Sequence, residues 1–417
     1  MANTQNLNKE PTPKQPSTNE EATQKQTKKI TTMIKFIVTA FIASLLSVIW
    51  IHPRIVRIAR DKNIVDNPNA RKLQAVPIPV LGGVAVFFGI IIGMAFTSEQ
   101  AGCMTLMPII MAMMFMLYLG TMDDIIGLTP RLRFLLEIAV VLLLIFTTNM
   151  HINNFHGLWG VHHVTEAVAI PLTVFAAVGI INAINLIDGV NGLSSGYCIL
   201  ASAVFGTFFY LTSNAPMVVL ATVCAGSLIP FFLHNVFGKK SKMFIGDGGA
   251  LVMGLVMSVF VVNTLTTDDT ALVDIPSSFG LIPFTLAVLI IPVADTLRVM
   301  LSRIMRGTSP FHPDKTHLHH LFIGLGFSHA GTTIMILLLN TLIISAQVVT
   351  WKLGGSINVQ LYVVVGMGLI STVGLYHSLI GMDENTPGKK VIRALGRTTH
   401  IERKGIFLTL QRLVDKL

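Results

Sequence analysis

The most unusual chemistry in the sequence lies in Asn182–Gly192, which reads Asn-Ala-Ile-Asn-Leu-Ile-Asp-Gly-Val-Asn-Gly and follows an apolar run. Polar side chains beside hydrocarbon are unfavourable by several kcal/mol each unless they have partners or line a wet cavity. Asn185 and Asp188 offer hard oxygen ligands for a divalent cation, and Asn182 and Asn191 can hydrogen-bond a polar ligand. A helix C-cap explains one Asn-Gly pair, but it does not explain four regularly spaced polar side chains. We therefore predict a ligand site here.

Two more acidic motifs border apolar runs. Asp123 and Asp124 are adjacent carboxylates that repel each other, and near a membrane they need a cation or a shared proton. A helix cap on a solvated loop explains one such Asp better than two. Asp247 stands among glycines in Phe244–Gly249, where the N-terminus of a helix can hold a metal or a phosphate. Taken alone, this second motif is also compatible with an ordinary turn.

The basic loop near the C-terminal third of the chain adds cations and imidazoles that suit phosphate groups. Its His-Leu-His-His pattern can also indicate zinc, but no Cys and no helical i, i+4 His pair accompanies it. The Asp residues and Asn185 favour a harder ion, so we expect Mg²⁺, with Mn²⁺ as the second choice, and histidines that bind phosphate. Attraction to lipid phosphates explains basic side chains in any cytoplasmic loop, but not three His in four residues. The relevant residues are Arg303, Arg306, His312, Lys315, His317, His319 and His320.

An isolated acid, Asp295, lies within an apolar run. Intramembrane acids are energetically unfavourable and are therefore functional candidates by default. A pairing with Arg298, one helical turn later, explains this acid about as well.

The elements that must position these residues are apolar helices. The chain has 417 residues, of which 52% are hydrophobic and 12% charged, whereas soluble domains carry about 25% charged residues. The apolar residues come in blocks that approach the roughly 20 residues needed to span a bilayer as a helix. We therefore predict an all-α polytopic membrane protein with about eleven transmembrane helices. The predicted spans cover residues 33–51, 80–96, 104–120, 134–147, 168–184, 197–211, 217–236, 250–264, 279–299, 332–350 and 359–376.

The loops between these spans alternate in charge. Those after spans 1, 3, 5, 7 and 9 are long, polar and mostly basic, whereas those after the even-numbered spans contain one basic residue, Lys352. The positive-inside rule places the basic set in the cytoplasm, although Lys25, Lys28 and Lys29 then lie outside with the N-terminus. All four polar motifs follow odd-numbered spans. The sequence thus predicts one active site, built from inter-helix loops on the cytoplasmic face.

The composition also suggests three regions. Residues 1–30 are rich in Gln, Thr, Asn, Lys and Pro without periodicity, which predicts a disordered polar tail. Residues 31–380 form the predicted multi-pass catalytic domain. Residues 381–417 form a predicted basic cytoplasmic tail.

These motifs together resemble the polyprenyl-phosphate N-acetylhexosamine-1-phosphate transferases (glycosyltransferase family 4). The resemblance runs from about Arg71 to Phe327, and it is closer to the branch that transfers GlcNAc-1-phosphate than to the peptidoglycan branch. Five motifs carry it, in the same order and on one predicted face: Arg71-Lys72 with Pro77-Ile78-Pro79 and Gly82-Gly83, Asp123-Asp124, Asn182–Gly192, Phe244–Asp247 and His317–His320.

The resemblance implies a magnesium-dependent transfer of GlcNAc-1-phosphate from UDP-GlcNAc to undecaprenyl phosphate, with release of UMP. Asp247 and Asn185 would hold the metal, Phe244 would stack on uracil, and Asn191 would contact the base. The implied catalytic residues are Asp123, Asp124, Asp188, His317, His319 and His320. The further implied substrate-binding residues are Lys72, Arg133, Asn182 and Arg306.

Several alternatives stay open at this point. The donor could instead be UDP-GalNAc or UDP-MurNAc-pentapeptide, and intramembrane acids also mark the ion pathways of transporters. Transporters place such residues near the bilayer midplane and repeat their helices in paired halves, whereas these acids cluster at one surface without an internal repeat. We expect a bacterial inner-membrane enzyme that contacts membrane lipid and no nucleic acid. A homodimer is the one assembly that we consider, and the sequence does not set the oligomeric state.

Overall fold

A computed structural model describes residues 18–68, 74, 76–97, 103–267, 271–273, 275–311, 314–400 and 405–416. The described part of the chain is almost entirely helical. Its helices are α1 (Thr18–Asp61), α2 (Gly82–Ala95), α3 (Met107–Ile126), α4 (Pro130–Thr148), α5 (Glu166–Leu186), α6 (Leu193–Leu211), α7 (Ala215–Phe237), α8 (Gly246–Leu265), α9 (Leu281–Met305), α10 (Leu318–Gly324), α11 (His329–Lys352), α12 (Ile357–Leu369), α13 (Leu375–Gly381), α14 (Pro387–Thr398) and α15 (Ile406–Val414).

Shorter elements connect these helices. Two-residue strands β1 (Val65–Asp66) and β2 (Ile78–Pro79) pair antiparallel. Single helical turns of the 3₁₀ type cover Cys103–Leu106 and Leu158–Gly160, and a π-helical turn at Ile370–Gly374 joins α12 to α13.

Each predicted span coincides with a helix, and the prediction of an all-α polytopic membrane protein is confirmed. Within the described residues, nine helices are long and apolar enough to cross a membrane. The predicted spans 80–96 and 134–147 fall on helices outside that group. Helix α2 has only 14 residues, and α4 carries Arg131, Arg133 and Glu137 within its first turns. The total of eleven therefore stays a prediction.

Helix α8 forms the centre of the bundle. Almost all of its side chains are buried, and α2, α3, α5, α6 and α9 pack around it. A helix that is apolar on every face is expected to be surrounded in this way. Because the Asp247 motif begins α8, the most buried helix of the protein starts at a predicted site residue.

A proline inside α9 creates a polar contact between three helices. Pro292 lacks the N–H group that would bond the carbonyl of Val288 four residues earlier. That carbonyl instead accepts hydrogen bonds from Tyr197 Oη of α6 (2.7 Å) and Asn340 Nδ2 of α11 (3.0 Å). The freed backbone group is satisfied by neighbouring helices, as a low-dielectric environment requires, so the proline ties α6, α9 and α11 together.

The two ends of the chain extend the helical bundle. Helix α1 begins at Thr18, within the segment 1–30 that we predict to be a disordered tail, and residues 1–17 lie outside the described residues. The predicted tail 381–417 contains α14 and α15. The division into three regions stays a prediction.

Candidate active site

Glycines bring the carboxylates of α3 and α8 together. A Cβ atom on Gly120 would lie 2.4 Å from the carbonyl carbon of Asp247, and one on Gly248 would lie 2.8 Å from Thr121 Oγ1. Small residues allow helix backbones to approach closely in membranes. The backbone N–H of Gly248 consequently lies 3.4 Å from Asp124 Oδ2 and donates to it.

The guanidinium group of Arg133 forms ion pairs with three carboxylates where α3, α4 and α8 meet. Arg133 Nη1 lies 3.0 Å from Asp123 Oδ2 and 3.9 Å from Asp247 Oδ2, and Arg133 Nε lies 3.3 Å from Glu137 Oε1. Asp123 also accepts a hydrogen bond from the backbone N–H of Leu128 (2.7 Å). We call Asp123, Asp247, Glu137 and Arg133 the carboxylate cluster.

The asparagines of α5 complete this cluster. Asn182 Nδ2 donates to Glu137 Oε2 (2.5 Å), and Arg133 Nη2 donates to Asn182 Oδ1 (3.4 Å). Asn185 lies within hydrogen-bonding reach of Asp247. The two residues predicted to hold a metal are therefore neighbours, although they come from different helices, and their role as ligands stays a prediction.

The donor atoms of the cluster suit a hard divalent cation. Within the described part of the chain, no group of three or more His, Cys, Asp or Glu side chains is placed to hold a metal. Mg²⁺ does not need such a cage, because it usually takes one or two carboxylates and completes its shell with water and substrate phosphates. Three carboxylates with one cationic partner leave surplus negative charge, so Asp247 and Asn185 fit this ion.

Asp188 occupies a partly buried position near Asp247. Burial raises the pKa of its carboxyl group to about 7, the charge of Asp247 adds to this shift, and a hydrogen bond from Ser194 opposes it. The loop that carries Asp188 is fixed by Asn235. This side chain accepts from the backbone N–H of Gly192 (2.6 Å) and donates to the carbonyl of Met243 (2.8 Å).

Asp295 orients the first histidine of the His-Leu-His-His motif. Its Oδ2 lies 2.9 Å from His317 Nδ1, and its Oδ1 accepts from Arg298 Nη2 (2.6 Å). The backbone N–H of Leu318 also donates to it. Since a carboxylate only accepts, the proton of a neutral His317 lies on Nδ1. His317 Nε2 is then a lone-pair acceptor, and it is buried without a hydrogen-bond partner among the described residues.

The other two histidines extend this group toward the Asp188 loop. The rings of His317 and His319 stack with centroids 5.6 Å apart, and those of His319 and His320 are 4.3 Å apart. A Cβ atom on Gly189 would lie 2.5 Å from His319 Nε2. Burial, reinforced by the neighbouring histidines, lowers the pKa of His319 well below its usual value, so this ring is neutral at pH 7. We call Asp295, His317, His319 and His320 the histidine cluster.

A polar cavity of about 400 Å³ is lined by residues of the Asp188 loop and of the segment before Asp247. Asn191, Phe244 and Gly189 line it, and Gly189 is the residue that His319 contacts. The lining also contains Arg60, Lys239 and Lys242 but no acidic side chain among the described residues. The cavity therefore favours an anionic ligand with an aromatic or polar group.

An apolar cavity of about 780 Å³ reaches Asn182, next to the carboxylate cluster. It lies between α4, α5 and α9, and Phe134 and Phe311 line it with ring centroids 5.9 Å apart. Asn182, which bonds Glu137 and Arg133, is one of its few polar lining residues. A long hydrocarbon chain in this cavity would end beside the cluster.

The sequence is similar to those of known bacterial glycosyltransferases. A model of glycosyl transferase family 4 matches residues 106–265. A "Probable undecaprenyl-phosphate N-acetylglucosaminyl 1-phosphate transferase" of Bacillus subtilis (strain 168) is 30% identical over 314 residues, which are 73% of this chain and 82% of the relative. The chain belongs to glycosyl transferase family 4. The corresponding transferases of Escherichia coli O157:H7 and Yersinia pestis are 27% and 25% identical over 299 and 301 residues, covering 70% and 71% of this chain and 78% and 80% of the relatives.

The structure leaves the roles of two predicted substrate-binding residues of this family 4 transferase untested. Lys72 lies outside the described residues. The side chain of Arg306 is 53% exposed and bonds Ser302 of its own helix. The buried arginine of this loop is Arg303, which binds Asp314 through two hydrogen bonds of 3.0 and 3.1 Å. The roles predicted for Lys72 and Arg306 stay predictions.

Four residues that hydrogen-bond site residues of the transferase were not predicted from the sequence. Glu137 is fully buried and could have been found, because an acid four residues after Arg133 in an apolar run is itself unusual. Ser194, Asn235 and His329 gave no such signal. His329 Nδ1 lies 3.2 Å from the backbone nitrogen of Asn191, a contact across 138 residues that only folding creates.

Proposed function

We propose that the protein transfers GlcNAc-1-phosphate from UDP-GlcNAc to undecaprenyl phosphate, giving undecaprenyl-diphospho-GlcNAc and UMP. Its relatives in Bacillus subtilis and Escherichia coli are named undecaprenyl-phosphate N-acetylglucosaminyl 1-phosphate transferases, which supports the acceptor and the transferred group. One observation carries the proposal. The segments that carry the site residues line two separate cavities. Gly189 and Phe244, close in the chain to Asp188 and Asp247, line a basic polar cavity, and Asn182, which bonds Glu137 and Arg133, lines an apolar one, so a soluble anionic donor and a lipid acceptor have separate routes to this site.

The donor occupies the polar cavity in this proposal. Phe244 stacks on the uracil ring and Asn191 hydrogen-bonds the base, while the basic lining residues attract the diphosphate. Asp247 and Asn185 would hold Mg²⁺. When bound, the ion neutralises phosphate charge, which phosphoryl transfer requires in addition to correct positioning.

The lipid acceptor occupies the apolar cavity, with its phosphate at the end marked by Asn182. An oxygen of this phosphate attacks the phosphorus that carries the sugar, and the bond from that phosphorus to the bridging oxygen breaks to release UMP. A phosphate monoester has a second pKa of about 6, so at neutral pH the acceptor oxygen needs no general base. We therefore assign Asp123 an orienting role, in which it holds Arg133 in position for the incoming phosphate.

The histidine cluster contacts the other end of the reacting groups. His319 adjoins Gly189, which lines the donor cavity, and His317 Nε2 is a buried acceptor beside it. In the proposal His317 Nε2 accepts a hydrogen bond from a sugar hydroxyl of the donor, and the neutral His319 ring donates its N–H to a phosphate oxygen. They add recognition without adding positive charge that would compete with the metal.

We also propose that this site faces the cytoplasm across a bacterial inner membrane. Arg60 after span 1 and Lys239 and Lys242 after span 7 line the same cavity, which supports one basic face for these loops. The positive-inside rule assigns such a face to the cytoplasm. A reporter fused before Thr31 should be active only outside the cytoplasm, and activity only in the cytoplasm would overturn this topology.

The decisive experiment measures UMP release by the purified full-length protein with UDP-GlcNAc, undecaprenyl phosphate and Mg²⁺. We expect release that depends on the lipid and that is lost in Asp123→Asn and Asp247→Asn. Release only from UDP-GalNAc or UDP-MurNAc-pentapeptide would correct the donor. If no UDP-sugar gave UMP, the transferase proposal would fail and transport would be tested next.

A further inference from the structure

The last helix of the chain forms a wall of the polar cavity. Phe407 and Gln411 of α15 line the cavity together with Phe244 and Asn191. Phe407 is buried, and its ring lies 4.9 Å from that of Phe237 at the end of α7. A segment predicted only as a basic tail therefore contributes side chains to the space assigned to the donor.

A four-donor clasp holds this helix in place. Asp415 Oδ1 accepts from the backbone nitrogens of Lys239, Lys240 and Ser241 at 3.0, 2.9 and 3.0 Å, and from Ser241 Oγ at 3.0 Å. Burial raises the pKa of Asp415, but these donors outweigh it and hold the pKa below its usual value. The carboxylate is thus charged at every pH above about 4, and the clasp persists throughout the physiological range.

The end of the preceding helix, α14, is anchored next to other residues that line the cavity. The backbone nitrogen of Ser328 donates to Thr399 Oγ1 (2.9 Å), and Ser328 Oγ donates to the carbonyl of Thr399 (2.8 Å). Ser328 directly precedes His329 and Ala330, which both line the cavity. Specific hydrogen bonds therefore fix α15 and the end of α14 next to two different groups of cavity-lining residues.

We propose that α15 is a structural wall of the donor site, clasped by Asp415, and that Gln411 contacts the nucleoside half of the donor. This inference rests on the proposed function. The side-chain amide of Gln411 offers two donors and one acceptor, which suits a base or a ribose that presents both kinds of group. Phe407 supplies apolar surface facing the same space. The wall therefore sets affinity for the nucleotide and does not act on the transferred phosphate.

The first test compares Asp415→Ala with Asp383→Ala, which removes an exposed carboxylate of the same C-terminal segment. Loss of a hydrogen-bonded charge should raise the KM for UDP-GlcNAc about tenfold, with kcat and the KM for undecaprenyl phosphate within about twofold of the wild type. Asp383→Ala should match the wild type in all three constants. An unchanged donor KM in a folded Asp415→Ala protein, or an equal loss of kcat, would overturn the proposal.

The second test measures the contact directly and does not use activity. Gln411→Cys and its neighbour Arg412→Cys, which is exposed and does not line the cavity, are made in a Cys103→Ser background, where the remaining Cys198 and Cys224 are buried. UMP should slow maleimide labelling of the cysteine at position 411 about tenfold or more and leave position 412 unchanged. Equal labelling of position 411 with and without UMP would overturn the proposal, even if Asp415→Ala failed to fold.

These outcomes separate the inference from the proposed function. If the wild type released UMP in a lipid-dependent way but UMP did not protect position 411, the proposed function would stand and the proposed contact of α15 with the nucleotide would be wrong. Protection by UMP without release from any UDP-sugar would retain the nucleotide site and remove the transferase reaction.

Discussion

The carboxylate cluster is partly buried and the histidine cluster is largely buried, and the two differ in their charge balance. Around Arg133, three carboxylates share one guanidinium group. Around Asp295, one carboxylate receives hydrogen bonds from Arg298, His317 and a backbone N–H, and the neighbouring His319 is neutral. One region keeps surplus negative charge, whereas the other satisfies its charge internally.

This difference indicates what each region needs for function. Surplus charge shielded from water is unfavourable unless a proton, counter-ion or ligand neutralises it, so we expect the carboxylate cluster to take up a cation. A balanced network is complete before any ligand arrives and can hold its side chains in a fixed orientation. We therefore expect substitutions in the first region to change metal dependence and those in the second to change orientation.

The largest effect is expected from Asp247→Asn. Loss of the carboxylate shared by Asn185, Asp123 and Arg133 should lower kcat/KM about a thousandfold and raise the Mg²⁺ concentration needed for half-maximal UMP release. EDTA should abolish wild-type activity, and Mg²⁺ or Mn²⁺ should restore it. The control is Glu166→Gln, an exposed acid at the first residue of α5, which should behave as the wild type. Wild-type metal dependence in Asp247→Asn would remove this residue from the metal site.

Gly120→Ala should have the next largest effect, because its new methyl group would meet the backbone of Asp247. Overpacking of this kind destabilises proteins by about 1–3 kcal/mol, and the shift of α8 should lower kcat/KM about a hundredfold. The matched control is Gly366→Ala in α12, where a Cβ atom meets nothing within 4 Å. Equal melting temperatures and activities for the two variants would contradict close packing of α3 on α8.

Asp295→Asn tests orientation in the balanced region. An amide can donate to His317 Nδ1 and so favour the other tautomer, which should lower kcat about 10–100-fold. The Mg²⁺ requirement should stay that of the wild type, in contrast to Asp247→Asn. A raised Mg²⁺ requirement in Asp295→Asn would erase the distinction between the two clusters.

The smallest effect concerns pH. The pKa of Asp188 is raised to about 7, so this carboxyl is neutral at lower pH and charged at higher pH. If its charge supports cation binding, kcat/KM should fall about tenfold per unit as pH drops below that pKa, and Asp188→Asn should flatten this limb. Since the pKa is higher in the folded state than the usual value of about 3.9, this group stabilises the fold most below pH about 4, and that contribution decreases as pH rises toward 7. An unchanged pH profile in Asp188→Asn would exclude this role.

The sequence by itself determined the helices and the chemical types of the site. Apolar blocks of bilayer length predict helices without reference to tertiary contacts, because the hydrocarbon environment requires every backbone group to be bonded within its own segment. Asp123, Asp247 and Asn185 were identified for a similar reason, since polar side chains at the ends of apolar runs are unfavourable without a partner or a ligand.

Only the tertiary structure decided which of these groups meet. Glu137 bonds Asn182, which is 45 residues away in the sequence, and Asp415 bonds Lys239, which is 176 residues away. Local periodicity cannot predict contacts between residues so far apart in the sequence. The position of α15 at the polar cavity cannot be predicted from the sequence for the same reason, because a short amphipathic helix after the last span is compatible with many docking positions. Side-chain types and spacing indicate the local environment that each residue needs. Which distant residues become partners depends on how closely the helices pack, and contacts such as that of Gly120 with the backbone of Asp247 determine this distance.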